Sequence, residues 1–128
     1  MSATLLAVIV DCHDPLRVAE FWAQALAWKV TERNPDEYGV RDPAGHDPGL
    51  YFMKVPEPKA GKNRLHLDIL TAGPLEDEVA RLVEAGATLV ESRQDPTSYA
   101  NPDTWTVLRD PEGNEFCVTS TATLTGWD

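Results

Sequence analysis

Cysteine is scarce in this sequence, with Cys12 and Cys117 alone among 128 residues. Two thiols are too few for a disulfide scaffold and fit a reduced compartment. The apolar run Leu5 to Val10, inside MSATLLAVIVDCHD, falls far short of the ~20 residues a membrane span needs. It also lacks a basic leader and a cleavage-site pattern, so a buried strand in a cytoplasmic protein is expected. Basic residues are few: 11 Lys+Arg against 21 Asp+Glu give a formal net charge of -10. Such a charge repels phosphate backbones and anionic lipid, which argues against nucleic-acid and membrane partners. No Gly-rich phosphate loop, P-loop, CxxC or HExxH pattern occurs, leaving nucleotide cofactors and standard zinc-hydrolase chemistry without support.

What is present suffices for one ordinary core, since 42% of the residues are hydrophobic. LLAVIVDC is rich in β-branched residues and reads as a strand. Asp14 then offers an N-cap and Pro15 a first helical position, where its missing N–H costs nothing. In LRVAEFWAQALAW, Val18, Phe21, Trp22, Ala25 and Leu26 share one face at helical spacing. RLHLDIL repeats the strand. AGPLEDEVARLVEAGA repeats the helix, with Leu75, Val79, Leu82 and Val83 on its apolar stripe and Gly86 as its terminator.

Sliding one copy over the other without a gap lays Ala7 over His66, Pro15 over Pro74, Leu16 over Leu75, Ala27 over Gly86 and Glu32 over Glu91. After each helix comes a strand (WKVTER, TLVESR), a loop, and a DPxG turn at Asp42 or Asp110 joining two further strands, the last being LYFMKV or EFCVTST. The expected fold class is therefore α+β, one domain over 1–128 built from two βαβββ modules, about 1–58 and about 62–125. The Pro/Gly/Lys stretch Pro56 to Asn63 is the joint between them. Half of such a structure leaves a sheet face bare, so the modules must pair within a chain or between chains.

The paired modules, the DPLRVAEFWAQALAW opening, RLHLDI and the closing DPEGNEFCV resemble the vicinal oxygen chelate superfamily, which includes glyoxalase I, extradiol dioxygenases and bleomycin-resistance proteins. The wording is most similar to its glyoxalase-like domain proteins. The resemblance implies a cup-shaped mixed sheet, a homodimer, and metal ligands from the first and last strands of each module. Those slots fall on Ala7, on His66, on Tyr51 or Met53, and on Cys117. Only His66 is a clear ligand, so the usual catalytic divalent ion is not expected. If a metal is present, His66 and Cys117 would hold it, a softer ion such as zinc requiring Asp68 or Asp11 to reach in.

His66 and Asp68 share a strand face and could serve as a general acid/base pair, or His66 could be an inert former ligand. Cys117 could be a nucleophile activated by His66, or a small buried hydrophobe. Tyr51, Met53 and Trp105 are candidate walls for an apolar or aromatic ligand, with Asp11 and Cys117 beside them. Asp11 could equally tie down the turn before the helix. Ser92 to Trp105 is a candidate lid. His13 reads as turn chemistry and His46 as a solvated loop residue.

The expected function is binding of a small apolar or aromatic organic molecule, by sequestration or with metal-free acid/base catalysis. The alternative is a metal-dependent lyase, isomerase, epimerase or dioxygenase of the same superfamily. A third reading, a subunit kept for its dimer-forming sheet, leaves His66 and Asp68 without a use.

Overall fold

The computed structural model describes residues 1–94 and 104–120. Two compact units, Met1–Ala60 and Gly61–Asp128, divide the chain inside the expected joint. In the first, β1 (Ala7–Cys12) leads to α1 (Pro15–Leu26) and to β2 (Lys29–Asn34), β3 (Glu37–Arg41) and β4 (Gly49–Lys54). The second repeats the order with β5 (Leu67–Thr71), α2 (Leu75–Ala85), β6 (Thr88–Gln94), β7 (Thr104–Arg109) and β8 (Glu115–Ser120). The α+β class and the two βαβββ modules are thus present. Among the described residues no helix is long and apolar enough to cross a membrane.

Each module forms a four-stranded sheet of the same topology, β1-β4-β3-β2 and β5-β8-β7-β6. The first and last strands of a module run parallel, and the other pairs are antiparallel. A helix crossover between parallel neighbours is the connection such a pair requires.

Strand alternation divides each sheet into a covered and an open face. In module one Val40, Leu50, Phe52 and Cys12 are buried, as are Val18, Ala19, Phe21 and Trp22 of α1, which packs on this sheet. Phe21 and Trp22 meet edge to face, centroids 5.4 Å apart. In module two Phe116, Val118, Leu108, Thr106 and Ser120 are buried on the side where α2 packs and buries Leu82.

Local signals explain the helix ends. The Asp14 carboxylate accepts from the Arg17 N–H at 3.2 Å, with Pro15 at the first position. α1 ends at Ala27 in the left-handed region (φ 56°), where its counterpart Gly86 (φ 129°) bears no steric cost. α2 has no side-chain cap, but Glu76, Asp77 and Glu78 place negative charge at its positive end.

Three expectations need correction. Val83 is exposed and Leu82 is the buried residue of α2, because the apolar stripe of this helix is narrow. Leu26 is half-buried at the end of α1. RLHLDIL becomes a strand only from Leu67, so His66 sits immediately before β5.

Both DPxG turns form by the same device. The carboxylate of Asp42 accepts from the Ala44 N–H at 2.9 Å, and its carbonyl from Gly45 at 2.8 Å. Asp110 accepts from the N–H groups of Glu112 at 2.9 Å and Asn114 at 3.0 Å, and its carbonyl from Gly113 at 2.8 Å. Gly45 (φ 82°) and Gly113 (φ 84°) occupy the left-handed position that the fourth residue of the motif requires.

Candidate functional site

The open face of module two gathers the polar chemistry. Register places Asp68 beside Cys117, Cys117 beside Val107, and Val107 beside Glu91. The next rung on the same face is Leu70, Thr119, Trp105 and Arg93. His66, two residues before Asp68, returns to this face by strand alternation. Its Nε2 lies 3.2 Å from Asp68 Oδ1, with the side chains 48% and 55% exposed, so the pair is accessible from solvent. Donor atoms of His66, Asp68 and Cys117 all lie within 4.8 Å of one another, the one such trio among the described residues.

Cys117 is half-buried, so it is not the sealed hydrophobe that the sequence allowed. Burial, and next the Asp68 carboxylate, push its thiol above the ordinary value, and a hydrogen bond to Asp68 acts in the same direction. Arg93 and Lys62 pull the other way and do not prevail. Burial and the adjacent carboxylate both disfavour the thiolate on which a nucleophilic role depends.

Lys62 stands 3.9 Å from Glu115, and Arg93 is paired with Glu91. Asn63 ties the end of the joint to β8 through its N–H to Glu115 Oε2 at 3.3 Å and its amide to the Glu115 carbonyl at 3.0 Å. This fixes the approach of the chain to His66. Trp105 is half-exposed on the same face, available to a flat ligand. The lid expected over Ser92 to Trp105 lies largely outside the described residues.

The open face of module one is built differently. Asp11, Met53 and Glu37 form one rung, and Ile9, Tyr51 and Gly39 the next. Tyr51 lies flat over Gly39, where an added Cβ would stand 2.6 Å from its ring. Its hydroxyl accepts from Arg41 Nη1 at 3.2 Å, and the Arg33 guanidinium sits 5.5 Å from the ring centroid. Arg33 also donates to the buried Glu37 carboxylate at 3.2 Å, and Arg41 to Asp47 at 2.5 Å. The expected ligand wall at Tyr51 is thus already engaged by its own module, whereas Met53 and Asp11 are exposed.

Sequence reasoning missed Arg33, Glu37, Gly39 and Arg41. The signal was the alternation of KVTERN and EYGVR, which puts Arg33, Gly39 and Arg41 on the Tyr51 face.

His13 and His46 play no part in either face. His13 Nε2 donates to the Pro56 carbonyl at 3.0 Å, holding the start of the joint, and His46 Nδ1 donates to Asp42 Oδ2 at 3.0 Å in the exposed turn. Cys12 is buried, its thiol directed at the Met53 carbonyl at 3.6 Å.

The register also settles which residue of β4 matches Cys117. With Ala7 laid over His66, Ile9 matches Asp68; Ile9 pairs with Tyr51 as Asp68 pairs with Cys117. Tyr51 is therefore the equivalent position. The four slots become Ala7, Tyr51, His66 and Cys117, and the first two offer a methyl group and a phenol held by Arg41. In module one these slots thus supply none of the carboxylate or carbonyl oxygens that a hard divalent ion prefers.

Known proteins agree with this architecture. The glyoxalase-like domain profile matches residues 7–119. A glyoxalase/bleomycin resistance protein/dioxygenase family enzyme from Burkholderia phytofirmans PsJN superposes with a TM-score of 0.74 at 22% identity, over 95% of this chain and 100% of that one. A glyoxalase-related enzyme from Fulvimarina pelagi gives 0.68 at 17% identity, over 99% and 95%. A glyoxalase/bleomycin resistance protein from Albidiferax ferrireducens T118 gives 0.65 at 21% identity, over 92% and 99%. No curated protein is significantly similar to this chain. Those three identities carry the fold alone, but the profile spans both modules and nearly every described strand, so the chain belongs to the glyoxalase-like domain family of the vicinal oxygen chelate superfamily.

Proposed function

We propose that the protein binds a small apolar or aromatic organic molecule on the open face of module two and acts on it through His66 and Asp68. The observation that carries this reading is the 3.2 Å approach of His66 Nε2 to Asp68 Oδ1 on an accessible sheet face. Trp105 and Val107, on the same face, supply the apolar contact.

The chemistry follows from the pair. A proton held on Nε2 toward Asp68 leaves the lone pair on Nδ1, which then serves as the base. When Nδ1 takes a proton from an acidic C–H or O–H of the ligand, the Asp68 carboxylate stabilises the imidazolium formed. Return of that proton to a neighbouring carbon completes an isomerisation; its delivery to a departing oxygen or nitrogen, as that group's bond to carbon breaks and a double bond forms, completes an elimination. Cys117, kept as a thiol, contributes a weak donor and a soft contact rather than a nucleophile.

The scheme draws on module two's own side chains and requires no divalent ion. Met53 and Asp11, both exposed, offer module one a ligand surface of its own.

The test is a binding screen of small aromatic compounds followed by product analysis of each hit. His66→Ala is expected to abolish turnover while binding persists, and Trp105→Ala to weaken binding. Hits returned chemically unchanged by the wild-type protein would make it a sequestering protein instead. Hits insensitive to both substitutions would remove the site from consideration.

A further inference from the structure

We infer that the open face of module one binds an apolar organic acid, its carboxylate taken by Arg33 and its body lying across Ile9 and Met53. The site stands on module one alone and does not depend on the chemistry proposed for module two. Register gives the two halves of this face opposite characters. On the β1–β4 side stand Ile9 and Met53, 50% and 38% exposed. On the β2–β3 side stand Lys29, Arg33 and Arg41, for Lys29 pairs with Arg41 and Arg33 is the extra residue of a bulge between Glu32 and Asn34. A bulge re-aims a side chain, and here the Arg33 guanidinium returns from the edge strand to the Tyr51 ring, over the strand that also carries Met53.

The cation is held in place before any ligand arrives. Buried Glu37 accepts from Arg33 Nη1 at 3.2 Å, and the Tyr51 ring centroid lies 5.5 Å from the guanidinium. Tyr51 is itself fixed, by Gly39 beneath its ring and by Arg41 at its hydroxyl. Arg41 lies down over Gly49, where an added Cβ would stand 2.8 Å from Nη1. Such preorganisation lowers the ordering cost of binding. With Nη1 given to Glu37, nothing among the described residues takes the Nε–Nη2 edge of Arg33. That edge of a guanidinium grips a carboxylate through two parallel hydrogen bonds. The Arg33 side chain is 58% exposed, so a ligand can reach it.

The charges also set a direction. Glu37 and Asp47 offset Arg33 and Arg41, and exposed Lys29, with no acidic partner among the described residues, leaves the β2–β3 half positive. This holds although the chain as a whole carries a formal net charge of -10. At the other end Asp11, exposed on β1 and paired in register with Met53, repels an anion. The carboxylate is thereby directed to Arg33 and the apolar body to Ile9 and Met53. An inorganic anion would use the cationic half alone, which is why the fitting ligand is an organic acid.

Isothermal titration calorimetry of the full chain with 2-naphthoate tests the site. Saturable binding is expected, with the uncharged 2-naphthamide about tenfold weaker or more, and with equimolar inorganic phosphate unable to displace the acid. Arg33→Gln should weaken 2-naphthoate by a similar factor. The double variant Arg33→Gln/Glu37→Gln, which leaves no buried carboxylate unpaired, should show the same loss with circular dichroism matching wild type. Ligands of module two are read at His66 and Trp105 and this site at Arg33, so the two readings fail separately. No saturable binding, equal affinity for the amide, displacement by equimolar phosphate, or undiminished affinity in both Arg33 variants would overturn the inference.

Discussion

Cys117 and Asp68 share a rung, and burial, followed by this carboxylate, raises the thiol above its ordinary value. Raising a thiol's pKa lowers the thiolate fraction at neutral pH, and thiolate is the reacting species. Alkylation of Cys117 by iodoacetamide should therefore be slow near pH 7 and accelerate as pH rises through the raised value. Asp68→Asn removes a charge that favours the protonated thiol, so its Cys117 should react several-fold faster at pH 7. Mass-spectrometric rates would show this, and equal rates in the two proteins would contradict the assignment. At this scale the sequence was partly legible. RLHLDI displayed His66 and Asp68 on one face, but the contact of Asp68 with Cys117 depends on the β5–β8 register, which a single strand's pattern does not contain.

At the scale of turns and strands, the two DPxG motifs look alike in sequence and differ in burial. Asp110 is 4% exposed and its carboxylate also accepts from the Asn114 amide at 3.3 Å. Asp110→Ala should cost about 1.5–3 kcal/mol, the loss expected for buried hydrogen bonds to a charged group. Denaturant unfolding reads this directly. Asp42→Ala should cost less, because its turn is solvated. The Ala44 N–H and then His46 hold the Asp42 carboxyl below its ordinary value. Its contribution is therefore present above the usual carboxylate range and is lost only as pH falls through that lowered value.

Strand β3 carries a second test. Gly39→Ala drives a methyl into the Tyr51 ring, separating Tyr51 from Arg41 and Arg33, and should destabilise module one by about 1–3 kcal/mol. In a Tyr51→Ala background the same change should cost far less, and equal costs in the two backgrounds would show that the ring does not rest on Gly39. Nothing in EYGVR alone marked Gly39 as the seat of a tyrosine that follows a turn later. Such close approaches belong to pairing between strands, whereas caps and DPxG turns are written in contiguous residues and could be read directly.

Across the whole molecule, the repeated module makes asymmetry informative. Both modules cover one sheet face with a helix and leave the other open, yet matching rungs carry Ile9, Tyr51 and Gly39 in one and Asp68, Cys117 and Val107 in the other. The first is a packed arginine–tyrosine surface and the second an accessible set of acid, base and thiol. The division into two βαβββ units was legible because strand, helix and turn signals recur in the same order. The pairing of His66 with Asp68 was legible in the second unit, whereas the contact of Asp68 with Cys117 and that of Tyr51 with Gly39 and Arg41 were not, because they depend on neighbours across the sheet.

The most direct measurement is NMR of protein labelled at histidine and tryptophan, titrated with a hit from the aromatic screen. Of the three histidines, His66 should shift together with the Trp105 indole, while His13 and His46 stay in place. Shifts at His13 or His46 with His66 and Trp105 unmoved would contradict the account.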